Sequence, residues 1–359
     1  MRRSTKWVLR EATLEERKNW DTHIVNNPGG GSILQTTHFA HIKKAQGWRP
    51  YYLIFETPEG TIAALVLIRT IFLLGAIWYF PKGPSLKSVH EFGNALQAIR
   101  EFIQMNNISV FLIKVEPELP KQHDTYNAMA RAGYTPAQFI QANESTIILD
   151  VYDTVEEQTL HLGRRARRYI RRAQRENVTV EVMPPTTKNF KQMYQFMQTA
   201  YGGRGIPGLR PYSYYENFWR SYIRDDVGRL YFGFEDTTPT VGVFVVLLGQ
   251  KAIYKDGGSA VNRDAKGTAY FIHWDIMNRL SKEGITHYDL WGAPPSDQVD
   301  NPEHPLWGIG NFKTAFSKEI VDYIGVWDGV MSAWRYRVWK AFIYKATRLL
   351  YRLRDRSFW

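Results

Sequence analysis

The stretch His287 to Phe316, HYDLWGAPPSDQVDNPEHPLWGIGNFKTAF, sets a single lysine among aromatic residues. An apolar β-type run ends at Tyr288-Asp289-Leu290, a Gly/Pro/Asp-rich segment follows, and Gly308-Ile309-Gly310 leads into Phe312-Lys313-Thr314-Ala315-Phe316. Read as a strand, alternation puts Phe312, Thr314 and Phe316 on one face and Lys313 on the other, so the cation can point into a cleft while its neighbours pack. A solvated lysine on an edge strand is the alternative. No Ser-His-Asp order, H-E-x-x-H or metal-spaced cluster appears, and the absence of cysteine excludes thiolate chemistry and disulfides.

The second chemical feature is a basic run, Arg164 to Arg175, with seven arginines. On a helix they wrap most of the circumference and leave Ala166, Ile170 and Ala173 as a narrow contact stripe. Like charges at these spacings destabilise a helix unless anions neutralise them, so phosphate binding by Arg164, Arg165, Arg167, Arg168, Arg171 and Arg172 is the favoured reading over a solvated face. The formal net charge of +11 points the same way, toward RNA, an anionic membrane face or a pyrophosphate-bearing substrate.

The elements that must position these residues read as two similar α/β halves. The first has a helix near Phe39 to Gln46, strands at Tyr51 to Phe55, Thr61 to Arg69 and Ile71 to Phe80, a helix at Ser88 to Met105, a strand at Val110 to Val115 and a helix at Thr125 to Ala132. The apolar stretch Thr61 to Phe80 is long enough to span a bilayer but carries Arg69 and many β-branched residues, so two buried strands broken at Arg69-Thr70 are expected. In the second half, helices at Val155 to Glu176 and Thr187 to Gly202 precede strands at Leu230 to Glu235, Val241 to Leu248 and Lys251 to Asp256, a helix at Thr268 to Lys282 and a strand at Thr286 to Leu290. Domains are expected at 1–150, with 322–340 returning to it, and at 151–321. Residues 331–359 read as a basic amphipathic helix, either lying on an anionic membrane or capping the first domain.

At the Tyr288-Asp289-Leu290-Trp291-Gly292 and Phe312 to Phe316 segments the chain resembles the Fem family of aminoacyl-tRNA-dependent peptidoglycan cross-bridge aminoacyltransferases. Gln35 to Lys43 with Gly47-Trp48, Lys82-Gly83-Pro84, Arg210-Pro211 with Tyr214, and Tyr254 with Gly258-Ser259 are similar to further family segments, in order and over almost the whole chain. The resemblance implies an α/β (α+β) fold of two GNAT-like acyltransferase domains with mixed, mostly antiparallel sheets. The lack of an inserted coiled-coil arm suits the compact, FemX-like type. It implies transfer of an amino acid from aminoacyl-tRNA to the stem peptide of a lipid-linked or UDP-linked muramyl peptide. Lys313 would stabilise the oxyanion and Glu116 would act as general base, unless Glu116 is a surface carboxylate ending a strand. Lys43, Arg210, Tyr214 and Tyr254 would bind the precursor. Asp256 departs from the family, whose members usually keep an aromatic there.

In a GNAT enzyme the CoA pyrophosphate loop opens with a basic residue or Gln; here Asp264-Ala265-Lys266-Gly267-Thr268-Ala269 opens with an acid, which disfavours CoA. The Gly202 to Gly208 segment reads as a substrate loop. A monomer at the cytoplasmic face of the membrane is expected, without cofactor or metal. The alternatives are an N-acyltransferase with a CoA or carrier-protein donor, and a non-catalytic RNA- or precursor-binding protein.

Overall fold

The computed structural model describes residues 6–138, 140, 144–202, 209–260 and 267–344. The chain divides into two compact units, 1–142 with 323–359, and 143–322. The first begins with β1 (Val8–Glu11), α1 (Leu14–Lys18), α2 (Trp20–Val25), α3 (Thr37–Ala45), β2 (Arg49–Thr57), β3 (Gly60–Ile71) and β4 (Gly75–Phe80). It continues through α4 (Phe92–Met105), β5 (Val110–Val115), α5 (Thr125–Arg131) and β6 (Tyr134–Ala137). The second unit starts with β7 (Ser145–Thr146), β8 (Ile148–Asp150), α6 (Val155–Leu160), α7 (Arg164–Arg175), β9 (Thr179–Val182), α8 (Thr187–Gly202) and α9 (Tyr212–Arg224). Then come β10 (Gly228–Glu235), β11 (Thr238–Leu248), β12 (Lys251–Ser259), α10 (Thr268–Leu280), β13 (His287–Asp289), α11 (Trp307–Lys313) and β14 (Val321–Asp322). The chain then returns to the first unit as β15 (Val326–Val330) and α12 (Ala333–Val338), followed by one π-helical turn to Ile343.

The sheet of the first unit runs β1-β2-β3-β4-β5-β15-β6 and that of the second β8-β13-β12-β11-β10-β9. Each contains a single parallel pair, β4 with β5 and β12 with β13, and is otherwise antiparallel. Sequence explains the pairing. The six residues VFLIKV of β5 are all buried, as a central strand requires, and its one charge, Lys114, pairs with Asp328 directly across on β15. In α4, Phe92, Leu96, Ile99 and Ile103 recur at helical spacing and are buried against the sheet.

Three expectations need correction. The break in the Thr61 to Phe80 run is not at Arg69-Thr70: β3 passes through both, and the turn is the apolar Phe72-Leu73-Leu74, with Leu73 at φ +62° and Gly75 at φ +93°. Arg69 does not break the strand because it has partners. Its guanidinium lies 4.2 Å from the Trp48 ring centroid and donates to the Gln46 carbonyl at 2.8 Å. The single helix expected over Val155 to Glu176 is two, α6 and α7, parted at Gly163. The segment Phe312 to Phe316 is not a strand; it contains the end of α11. The Gly203 to Gly208 loop, Asp264 and the tail from Lys345 lie outside the described residues.

Candidate active site

Phe312 and Phe316 are spaced four apart, which a helix places on one face as readily as a strand does, and the helix wins. The rings meet at 5.4 Å between centroids, and Thr314 N and Phe316 N donate to the carbonyls of Gly310 and Lys313. Lys313 is therefore the last residue of α11, and it is buried, at 5% exposure. Its Nζ donates to the carbonyls of Trp291 and Gly292, each at 2.6 Å, and lies 5.4 Å from the Tyr254 ring centroid. A buried ammonium is tolerated only with such partners.

The Tyr-Asp-Leu-Trp-Gly motif is the cradle that supplies them. Trp291 and Gly292 are consecutive left-handed residues, at φ +52° and +81°, and this bend brings both carbonyl oxygens to one ammonium. The left-handed conformation costs a tryptophan about 1–2 kcal/mol. Asp289 holds the bend: its Oδ1 accepts from Trp291 N at 2.8 Å and from the Thr146 hydroxyl. Burial raises the Asp289 pKa above the usual carboxylate value, against the opposing pull of Thr146, Trp291 N and Lys313. Tyr288, fully buried, pairs through its hydroxyl with His273 Nδ1 at 2.8 Å. His273 packs 4.5 Å from the Tyr254 ring and its pKa is pushed down to about 3, first by burial and then by the Lys313 charge, so the imidazole is neutral. The sequence reading missed His273. The only available signal was one histidine on the buried face of an apolar helix, FIHWDIM.

Tyr254 reaches Lys313 because β12 carries a bulge. Val245 pairs with Tyr254 and Phe244 with Asp256, leaving Lys255 as the extra residue. Residues two apart on a strand share a face; the bulge instead turns Asp256 away from Tyr254, to the side where Phe244 packs on α9. Asp256 there accepts from Trp219 Nε1 at 2.9 Å and pairs with Lys255 at 3.3 Å. Burial lowers the Lys255 pKa, but Asp256 and nearby tyrosines outweigh it and hold it above the ordinary value. The acid in place of an aromatic thus belongs to a different environment from Lys313. Gly257 makes room for the Tyr254 ring: a Cβ there would stand 1.9 Å from the tyrosine hydroxyl. Arg210 and Tyr214 come together, with the guanidinium 4.8 Å from the ring centroid, and Tyr214 joins the aromatic stack of α9 through Tyr215 and Phe218.

The arginine run is α7, with Ala166, Ile170 and Ala173 buried. Among the described residues none of its arginines pairs with a carboxylate; Arg165 donates to the Asn311 amide oxygen at 2.8 Å. Gly163, at its N-cap, donates from its N to Phe316 O at 2.7 Å, and a Cβ there would lie 2.3 Å from Ala315 O. The arginine helix is thus stitched to the segment that carries Lys313.

In the first unit, Glu116 is not a surface carboxylate. It is 1% exposed just past β5, accepts from the Tyr79 hydroxyl at 2.5 Å, and has Lys82 Nζ at 3.8 Å. Lys43 is buried on α3, 5.3 Å from the Phe39 ring centroid.

Residues 162–298 match the model of the acetyltransferase (GNAT) domain. Among solved structures the chain is similar to FemX, with a TM-score of 0.76, 16% identity, and coverage of 93% of this chain and 99% of that one. It is also similar to the C-terminal domain (DUF2156) of a putative lysylphosphatidylglycerol synthetase from Agrobacterium fabrum (TM-score 0.50, 13% identity, covering 94% and 98%). A third similar structure is L-PGS from Bacillus licheniformis (TM-score 0.50, 14% identity, covering 92% and 96%). No curated protein matches the sequence. At these identities the likeness is one of fold. The chain has a FemX-like fold of GNAT-like domains, and its second unit carries an acyltransferase domain.

Proposed function

On this FemX-like acyltransferase frame, we propose that the chain transfers an amino acid from aminoacyl-tRNA to an amine of the stem peptide of a peptidoglycan precursor. The observation that carries the reading is the joint at Gly163. A helix of seven arginines without carboxylate partners among the described residues is hydrogen-bonded to the segment bearing a buried lysine. The arginines suit the phosphates of the donor's acceptor stem, and the lysine suits the charge that develops at its ester carbonyl.

The reaction is aminolysis of an already activated ester. The acceptor nitrogen attacks the carbonyl carbon, a C–N bond forms, and the C–O bond to the terminal ribose breaks. The ribose oxygen leaves with a proton and the nitrogen gives one up. In the second unit Lys313 stabilises the oxyanion of the tetrahedral intermediate and Arg210, Tyr214 and Tyr254 hold the precursor; in the first unit Glu116 is the candidate general base and Lys43 a candidate precursor ligand. CoA as donor is disfavoured at the start of α10. Glu235, buried, accepts there from the Thr268 hydroxyl at 2.6 Å, and Gly267 is packed so closely on the Tyr169 carbonyl that a Cβ would stand 2.3 Å from it. A carboxylate at a helix N-terminus repels the pyrophosphate that would bind there.

The test is to incubate the purified protein with a charged tRNA pool and UDP-linked or lipid-linked muramyl peptide, and to weigh the products by mass spectrometry. A mass gain equal to one or more aminoacyl residues, abolished by ribonuclease, supports the proposal. An acyl adduct formed from acetyl-CoA without tRNA refutes it. Phosphatidylglycerol is included as an acceptor because one similar structure is named a putative lysylphosphatidylglycerol synthetase.

A further inference from the structure

The turn between β3 and β4 places four apolar residues in a row, Ile71, Phe72, Leu73 and Leu74, where polar turn formers are the norm. Ile71 and Leu74 face inward, joining Ile77, Phe111, Leu112 and Trp339 in a small core. Phe72 and Leu73 point out, 84% and 80% exposed. The fold does not need them to be apolar, since the anchoring is done by their neighbours.

Other exposed apolar residues adjoin this tip. Arg335 of α12 donates to the Leu74 carbonyl at 3.4 Å and to Ser109 Oγ at 2.9 Å, and its guanidinium lies 5.4 Å from the ring of Trp334, which is 58% exposed. Ser109 follows α4, whose last residue, Met105, is 69% exposed. Beyond α12, Trp339 packs on Phe111 at 6.0 Å and fixes this segment to the sheet, while Phe342 is 72% exposed. The charges on the segment are all of one sign: Arg335, Arg337 and Lys340, with no acid between Met331 and Tyr344.

We propose that this end of the first unit, the Phe72-Leu73 tip together with α12 and its π-turn, docks the protein on an anionic bilayer. A protruding apolar pair suits insertion among acyl chains, tryptophan beside arginine suits headgroup depth, and three cations without an acid suit anionic lipid. Phe72 and Leu73 insert, Trp334 and Phe342 lie at the interface, and Arg335, Arg337 and Lys340 meet lipid phosphates. Among the described residues no helix is long and apolar enough to cross a membrane. The inference does not depend on the acyl donor.

The test is cosedimentation of the full chain with mixed phosphatidylcholine and phosphatidylglycerol vesicles, and with phosphatidylcholine alone. Wild type is expected to bind the mixed vesicles, more weakly at high salt, and to bind the neutral ones poorly. The double variant Phe72→Ser with Leu73→Asn removes the tip while keeping the turn, because asparagine accepts the left-handed backbone that Leu73 adopts. It and Trp334→Ser with Phe342→Ser should each weaken binding by roughly tenfold or more, with unchanged thermal unfolding and unchanged turnover of a soluble acceptor. Wild type that stays in solution with the mixed vesicles overturns the proposal, as do double variants that bind like wild type. Tip-dependent self-association without vesicle binding also overturns it, and assigns the surface to a second copy of the chain.

Discussion

Replacing Lys313 by methionine keeps the length and apolar stem of the side chain and removes the ammonium alone. Two consequences follow from the geometry and must be separated. The carbonyls of Trp291 and Gly292, now each 2.6 Å from Nζ, lose their donor. An unsatisfied buried group costs about 1–3 kcal/mol, offset in part because a charge no longer has to be buried. The bend at Trp291 is held independently by Asp289, so the unit should fold with the turn loosened. Chemistry should suffer more. Loss of one oxyanion donor slows transfer by about 10²- to 10³-fold, some 2.7–4 kcal/mol in the barrier. The assay is single-turnover aminoacyl transfer at saturating acceptor, paired with precursor affinity by calorimetry and hydrogen exchange over 289–292. The expected outcome is a rate lowered by two to three orders of magnitude, near-native affinity, and faster exchange confined to the turn. A folded variant that turns over like wild type would show that the lysine only pins the turn.

Three further outcomes are expected. His273 has a folded pKa of about 3 against an ordinary 6.5, so the stability due to its neutral form is complete above pH 6.5 and is lost as pH falls toward 3. The stability of the second unit against unfolding should therefore fall over that window by up to about 1.4 kcal/mol per pH unit, and His273→Asn should flatten the slope; equal slopes would refute the assignment. Replacing Arg167, Arg168, Arg171 and Arg172 by glutamine should weaken tRNA binding and reduce the slope of log affinity against log salt by up to roughly 0.9 per lost phosphate contact. An unchanged slope would make α7 a solvated face. Gly257→Ala should displace the Tyr254 ring and raise KM for the precursor more than it lowers kcat; an unaltered KM would remove Tyr254 from the acceptor site.

Regular elements were legible where one physical cause dominates. The strand Val110–Val115 and the helix Thr187–Gly202 have the expected limits, and the buried stripe of α7 is the one its spacing predicts. Reading failed where two causes compete. The spacing of Phe312 and Phe316 fits both periods, and only the hydrogen bonds of α11 decide between them. Arg69 looked like a break because its partner, Trp48, is distant in sequence, and the true turn was hidden by being apolar. The motif from Tyr288 to Gly292 was visible as a pattern, but not as a device in which Asp289 holds a bend whose carbonyls hold Lys313. Nor could the bulge at Lys255 be seen, since a single extra residue leaves no mark on composition yet decides which of Tyr254 and Asp256 faces the lysine.

The position of β15 has a consequence for how the chain is made. It lies between β5 and β6, so β6 has no neighbour in the sheet, and β5 keeps an open edge, until residues 326–330 have emerged from the ribosome. By then the whole of 143–322 has left the ribosome and can have folded. The unit begun first is closed last, and meanwhile it offers to any chain or chaperone nearby a strand edge that is apolar except for Lys114, whose partner Asp328 has not yet arrived. A stop codon shortly after residue 322 would spare the acyltransferase domain and leave its companion permanently unsealed.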